Sequence, residues 1–492
     1  MQLGAGLRVV AVALAGALVL GGCAGGLERS GLFPGNETAT APLNDGFDSA
    51  EAALGQREHP RIVSSFGGIY SDPDLQAYLD EMVGQLRDVS DRPELSYRVT
   101  VLNSPSVNAF SLPGGYLYVT RGLLALADDS AEIAAVLSHE MAHVTARHAL
   151  EREEQVVSAT AIGQVISDVA RGPEASAAAL ALTRGKLAQF SRQQELEADA
   201  IGIRVAARAG YDPLGSITFL RGLERQTALH SQSLNRDYEQ GRVDLFSSHP
   251  TTPQRILAAE REARLIEEGG DFVRDRDGYL SVIDGMAYGE DPREGFVQGR
   301  SFVHPQLGIN FTVPTGFALE NTQEAVVAFS ETGDIIRFDT VRFDRSKSLT
   351  GYLAEDAVRG GQVSNVRERD VNGMQAATAR VRGDSWYFKV AAIRGEEDTV
   401  YRFILASREL DENRAAALVE TADSFRVLPQ DEARRARQQR IRVIQVRPGE
   451  TVESIARRMD FDNLRVERFR ALNGLTPGDQ LRPGQRVKII VR

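Results

Sequence analysis

The sequence predicts a multidomain chain: a mainly α N-terminal domain holding a small sheet, then an α+β domain, then a small βααβ module. Three observations predict it. Helical periodicity dominates residues 56–268 and is interrupted by one compact group of β-prone runs. Over 290–428 the texture changes to short alternating strands with two helical stretches. A charged linker at 429–440 then precedes a last segment, 441–492. With 42% hydrophobic and 25% charged residues, the 492-residue chain is core-forming protein, neither disordered throughout nor a polytopic membrane protein. Its 57 basic and 68 acidic residues give a net charge of −11, so no nucleic-acid partner is expected.

At the start, Arg8 precedes the apolar run Val9–Leu20, followed by Gly21-Gly22-Cys23. A charge, an apolar stretch too short to span a bilayer comfortably and a small-residue ending make a secretory signal over 1–22. Cys23 is the only cysteine and has no disulfide partner within the chain. Leu20-Gly21-Gly22-Cys23 resembles the bacterial lipobox, whose cysteine becomes the lipidated N-terminus. That resemblance implies attachment to a membrane through a lipid anchor. Ala24, where inner-membrane lipoproteins usually carry aspartate, implies the outer membrane with the protein facing the periplasm. Residues 23–55, rich in Gly, Asn, Thr, Asp and Ala, read as a flexible tether.

Within 56–268, Tyr97–Leu102, Val107–Leu112 and Tyr116–Thr120 are the β-prone runs, and Pro113-Gly114-Gly115 is a hairpin turn signal. Asp129 with Glu132 marks a helix start and its capping partner, for a helix over 129–152. An alanine-rich helical stretch over 153–185 breaks at Arg171-Gly172-Pro173. The next helix, 186–209, ends at Gly210, and Asp212-Pro213 opens another.

The chemistry-bearing motif is His139-Glu140-Met141-Ala142-His143 in the 129–152 helix. At roughly 100° per residue, positions four apart lie about 40° from each other, so both imidazoles can reach one cation. Neutral imidazoles with an oxygen ligand suit a zinc ion with one open position, and Glu140 can take a proton on the open side. The oxygen ligand is expected from Ser191-Arg192-Gln193-Gln194-Glu195-Leu196-Glu197-Ala198-Asp199. Glu195 and Asp199 are four apart, so one carboxylate can bind the metal while the other braces a ligand histidine. Glu197 points about 200° from Glu195 and is the poorer ligand. His148, nine residues past His139, should face about 180° away on the same helix, and is read as structural or as a support behind the ligands. His249, in Ser247-Ser248-His249-Pro250, sits on a loop whose geometry spacing does not fix.

Four segments then agree in order with one family: Asn108-Ala109-Phe110-Ser111-Leu112-Pro113-Gly114-Gly115-Tyr116-Leu117-Tyr118-Val119, the His-Glu-x-x-His helix, the Glu195/Asp199 helix with Gly210-Tyr211-Asp212-Pro213, and Ser248-His249-Pro250 with Arg255-Ile256. Over about 60–260 the chain resembles the HtpX, Oma and CAAX-prenyl-protease family of zinc metallopeptidases, in the periplasmic branch of the β-barrel assembly-enhancing protease. The resemblance implies a zincin-type fold and one Zn(2+) per chain held by His139, His143 and Glu195. It also implies Glu140 as catalytic base, Asp199 as support for a ligand, and His249 as a fourth ligand that latches the site. No hydrophobic span follows residue 23, so processing of prenylated proteins is not expected.

In the last segment, Pro448-Gly449-Glu450-Thr451, Asn473-Gly474-Leu475 and Leu481-Arg482-Pro483-Gly484-Gln485 recur in the order of a LysM module, which the chain resembles here. The resemblance implies peptidoglycan as a partner, bound at loops with Gly449, Glu450, Thr451, Asn473, Gly474 and Leu475. Phe461 and Phe469 are the scarce aromatics available for sugar stacking. Over 290–428 no chemistry is legible; Trp386 and the alternating phenylalanines read as core. The leading reading is a zinc endopeptidase degrading misfolded envelope proteins while attached to outer membrane and peptidoglycan. The alternative is a peptidoglycan-binding scaffold or holdase with a latent or structural zinc site.

Overall fold

The structure, a computed structural model, describes residues 46–151, 192–234, 249, 253–267 and, with short gaps, 270–492. The expected signal, Cys23, the 153–185 stretch and the immediate neighbours of His249 lie outside these residues. Two compact units emerge: Glu290–Arg437 is part of one, while Gly35–Gly289 and Gln438–Arg492 together make the other.

Helix α1 (Ser49–Ser65) starts where the Asp48 carboxylate accepts the Ala50 amide at 2.8 Å. It begins inside the stretch expected as a tether, because that cap and a buried face give the segment a packing partner. At Gly55 an added Cβ would lie 2.2 Å from the Pro113 carbonyl oxygen. Helix α2 (Pro73–Asp88), capped by Asp72, buries Leu75, Leu79, Met82, Val83 and Leu86 at helical spacing. Strands β1 (Arg98–Leu102), β2 (Ala109–Leu112) and β3 (Tyr116–Thr120) form a sheet in the order β1-β3-β2, with β1 parallel and β2 antiparallel to β3. The β2–β3 turn uses Gly114 and Gly115 at φ of 85° and 80°, as the sequence signalled.

After α3 (Arg121–Leu126) comes α4 (Ser130–Thr145), with Asp129 accepting the Glu132 amide as its cap. It stops well short of the expected 152. Arg147 takes a left-handed φ of 58° and its guanidinium pairs with Glu51 of α1 at 2.7 Å, which breaks the helical path. Helix α5 (Arg192–Arg208) closes at Gly210, at φ 90°, and is followed by α6 (Gly215–Leu234), α7 (Pro253–Glu267), α8 (Arg276–Ile283) and the short β4 (Ala287–Tyr288).

The 290–437 unit holds β5 (Phe296–Gln298), β6 (Ser301–His304), β7 (Ile309–Thr312), β8 (Phe317–Asn321), β9 (Val326–Ser330), β10 (Ile335–Arg342), α9 (Leu349–Glu355), β11 (Gln362–Val371), β12 (Met374–Arg382), β13 (Tyr387–Arg394), β14 (Thr399–Ser407), α10 (Glu412–Asp423), β15 (Arg426–Val427) and α11 (Gln430–Arg435). Its seven-stranded antiparallel sheet runs β11-β12-β13-β14-β10-β9-β8, beside a four-stranded sheet β15-β7-β6-β5. Phe302, Phe311, Phe338, Phe403 and Phe425 cluster in its core, and the Trp386 ring packs on another apolar cluster. Helix α11 occupies part of the expected linker 429–440.

The C-terminal segment is built from β16 (Gln439–Gln445), α12 (Val452–Ala456), α13 (Arg465–Leu472) and β17 (Arg486–Val491), in the expected βααβ order. It does not hang from a linker. Strand β16 starts inside 429–440 and pairs antiparallel with β4, Gln439 opposite Tyr288 and Arg440 opposite Ala287. Ile441, Ile455, Phe469 and Ile489 share one apolar core with Tyr279, Leu280, Ile283 and Met286. The platform for this docking is α8 and β4, a stretch the sequence left unassigned.

Candidate metal centre

Helices α4 and α5 approach so closely that an added Cβ at Gly202 would sit 2.9 Å from the His139 backbone nitrogen. That contact places Glu195 and Asp199 of α5 opposite His139 and His143 of α4. His139, His143, Glu195 and His249 each offer one ligand atom, all within 4.8 Å of one another. His139 Nε2 lies 3.1 Å from His143 Nε2 and 3.3 Å from His249 Nδ1, and His143 Nε2 lies 3.6 Å from Glu195 Oε1. Donors bound at about 2.0–2.1 Å around a tetrahedral cation are roughly 3.3 Å apart, so these spacings fit a zinc-sized ion. Three imidazoles and one carboxylate are also a donor set such an ion favours.

Asp199 stands behind His139, its Oδ1 3.0 Å from Nδ1, which leaves Nε2 for the cluster. Arg255 of α7 grips Asp199 with two hydrogen bonds of 2.8 Å and reaches Glu195 Oε2 at 2.6 Å. The opposite oxygen, Glu195 Oε1, faces His249 Nδ1 at 2.8 Å. Burial pulls His143 well below the ordinary imidazole range, and the neighbouring imidazoles add to the effect. Burial acts the same way on His139, but the Asp199 hydrogen bond prevails and raises it. Burial alone would raise Glu195; the bond to His249 and the charges of His139 and Arg255 hold it below the usual carboxylate range.

Glu140 is buried at 1% exposure; its Oε2 accepts a hydrogen bond from Ser111 Oγ on β2 at 3.2 Å, and among the described residues its Oε1 has no hydrogen-bond donor on it. His249 Nε2 is 3.5 Å from that Oε1. The structure thus brings His139, Glu140, His143, Glu195, Asp199 and His249 together, while Glu197 stays outside, half exposed. His148 takes the supporting place that was one of its two readings, but its orientation differs from expectation. The break at Arg147 turns its Nδ1 to within 3.0 Å of His143 Nδ1, so it stands behind a ligand instead of facing away. Sequence reasoning also missed the roles of Arg255 and Ser111. Both lie in segments it singled out, but no spacing rule connects residues on different elements.

Residues 72–263 match the family model described as Peptidase family M48, and residues 444–489 match that of the LysM domain. The beta-barrel assembly-enhancing protease of Escherichia coli is 30% identical over 205 residues, 40% of this chain and 40% of that protein. The mitochondrial metalloendopeptidase OMA1 of Schizosaccharomyces pombe is 30% identical over 237 residues, 46% of this chain and 66% of that protein. The chain carries an M48 peptidase domain. Every residue of the cluster, with Asp199 and Arg255, falls inside the M48 span, whereas the chain covers only about 40% of the first curated relatives it matches. Among the described residues no helix is long and apolar enough to cross a membrane.

The LysM residues are placed unevenly. Gly449, at φ 84°, is exposed, Glu450 accepts the Arg447 amide at 2.8 Å, and Thr451 caps α12. Asn473 is buried, bonding the Phe469 and Lys488 carbonyls at 3.0 and 2.9 Å. Gly474 abuts Asp128 of the peptidase domain, and Leu475 is half-buried. Phe469 is fully buried and cannot stack on a sugar, and the Phe461 ring is covered by the Arg468 guanidinium at 4.7 Å.

Proposed function

We propose that the chain is a zinc-dependent endopeptidase of the bacterial cell envelope that acts on misfolded or unassembled proteins. His139, His143 and Glu195 hold one zinc ion, Asp199 orients His139, and Glu140 is the general base. The observation that carries this reading is the convergence of the four ligand atoms within 4.8 Å beside a buried Glu140. When bound, zinc at this point polarises a peptide carbonyl and lowers the pKa of water. Glu140 accepts the proton of the attacking water at Oε1 and passes it to the leaving amine, while Ser111 fixes the other oxygen. Arg255 keeps Glu195 Oε2 engaged, so that Oε1 is the oxygen offered to the cation. Strand β2 lies at the edge of its sheet, next to Glu140 through Ser111, and offers backbone groups to an extended substrate. Unfolded segments meet that demand most readily.

His249 reaches both the ligand cluster and Glu140 Oε1, as a latch on the fourth position does. His249→Ala should therefore raise cleavage of a casein-type substrate; a fall or no change would count against the latch. A lipid on Cys23 would hold the chain at the outer membrane, and the LysM module would bind peptidoglycan at Gly449–Thr451. The deciding experiment is Glu140→Gln. Zinc content should stay at one per chain while proteolysis drops by at least about a hundredfold, the typical share of a positioned acid–base group. Undiminished function in cells carrying that variant would instead favour a wall-binding scaffold or holdase.

A further inference from the structure

Lys488, on β17 of the LysM module, is completely buried. Its Nζ donates to the carbonyls of Ala125, Leu126 and Ala127 at 2.9, 3.4 and 2.7 Å and lies 3.3 Å from Asp128 Oδ1. Those carbonyls end α3, where a helix leaves its last C=O groups without internal partners. Residues 127–129 are also the whole connection to α4, the helix that carries His139, Glu140 and His143. The connection is fixed from other sides too. The Asp128 amide donates to Glu132 Oε2 at 2.9 Å, Arg276 Nη1 donates to the Asp128 carbonyl at 3.0 Å, and Asp129 caps α4. On the LysM side, Asn473 Oδ1 accepts the Lys488 amide at 2.7 Å. An added Cβ on Gly474 would fall 2.1 Å from Asp128 Oδ2.

Burying an ammonium is costly, and an apolar side chain would serve plain adhesion at lower cost. A charge that instead gathers three carbonyls and a carboxylate fixes where a chain segment lies. We infer that Lys488 is a positioning residue for the α4 helix: through 125–128 the LysM module sets the start of the helix that presents the metal ligands. This rests on the proposed metal centre. It also makes the module an integral part of the peptidase unit, with the loop 473–475 built onto the same anchor.

The test uses the full chain and its Lys488→Met and Asp128→Asn variants, with zinc titrated calorimetrically and thermal unfolding followed in chelator. Lys488→Met leaves three carbonyls without their cation, and leaves Asp128 with Arg276 alone, at 3.1 Å. Metal-free unfolding should then fall by roughly 10 °C, and zinc affinity by on the order of tenfold, the size seen when an outer partner of a metal site is lost. At saturating zinc, kcat should drop while KM holds. Asp128→Asn, nearly the same shape, should shift affinity the same way by less. Combining the two should cost less than the sum of the single changes, the remainder being the Arg276–Asp128 pair. If Lys488→Met does not fold, Asp128→Asn decides. Zinc affinities of the folded variants matching the wild type would overturn the inference, whereas a wild type that binds no zinc would sink the metal centre itself.

Discussion

Arg255 holds two carboxylates at once, and its position decides what kind of site the histidines face. With Asp199 and Glu195 both buried, its guanidinium is the fixed positive charge that lets them stay ionised; Asp199 is accordingly held far below the usual carboxylate range. Removing one partner of such a buried set typically costs about 3–5 kcal/mol, because the remaining charges stay buried without compensation. A divalent cation beside the same carboxylates supplies part of what is lost. Arg255→Met should therefore unfold at markedly lower temperature in chelator and regain more stability on zinc addition than the wild type does. Thermal melts with and without zinc check this. An unchanged melt in chelator would show that the guanidinium contributes nothing to the charge balance of the site.

The pairing of α4 with α5 carries the ligand geometry, and Gly202 is its tightest point. Alanine there would gain up to about 1 kcal/mol of helix propensity. Its Cβ, however, would stand 2.9 Å from a backbone atom of His139, where nothing flexible can give way. Overpacking of this kind costs about 1–3 kcal/mol, so the steric effect wins. Gly202→Ala should lower stability and push the α4 histidines away from Glu195, weakening zinc binding; a variant as stable as wild type with unchanged affinity would refute this. At this scale the sequence was legible wherever a local rule applied. The Asp129 cap, the Gly114-Gly115 turn, the four-residue spacing of His139 and His143, and the βααβ order of 439–491 all follow from neighbours along the chain. Over 290–428 the strand-rich texture was legible, but edge strand Gln362–Val371 has no clean alternation to read, since Arg367, Glu368, Arg369 and Asp370 put charge on both of its faces. The orientation of His148 escaped because one left-handed residue, Arg147, redirects everything after it. Arg255 escaped because its partners are 56 and 60 positions away, joined to it only by tertiary packing.

Across the whole molecule, the peptidase unit is assembled from two stretches of chain with 290–437 between them. Tyr288 opposite Gln439 and Ala287 opposite Arg440 make β4 and β16 neighbours in one antiparallel ladder. The chain therefore departs for the 290–437 unit and returns from it at adjacent points, the arrangement in which a host fold tolerates an inserted domain. Sequence reading placed the charged run 429–440 as a spacer because its composition is that of a solvated segment. Its last residues instead start a strand that the docking platform fixes. Replacing 290–437 by Asn-Gly leaves a short loop between two strands already in register, with turn residues suited to a hairpin. The shortened chain should fold, unfold in one cooperative transition with its LysM module, and bind zinc as tightly as the full chain. Calorimetry reads all three outcomes, and an unfolded or zinc-free product would mean that the inserted unit helps build the site. If the shortened chain folds, comparing cleavage of a short peptide with cleavage of a denatured protein separates the remaining roles. Loss of the second alone assigns 290–437 to capturing large substrates, since the ligands, the base and the β2 edge all remain in place.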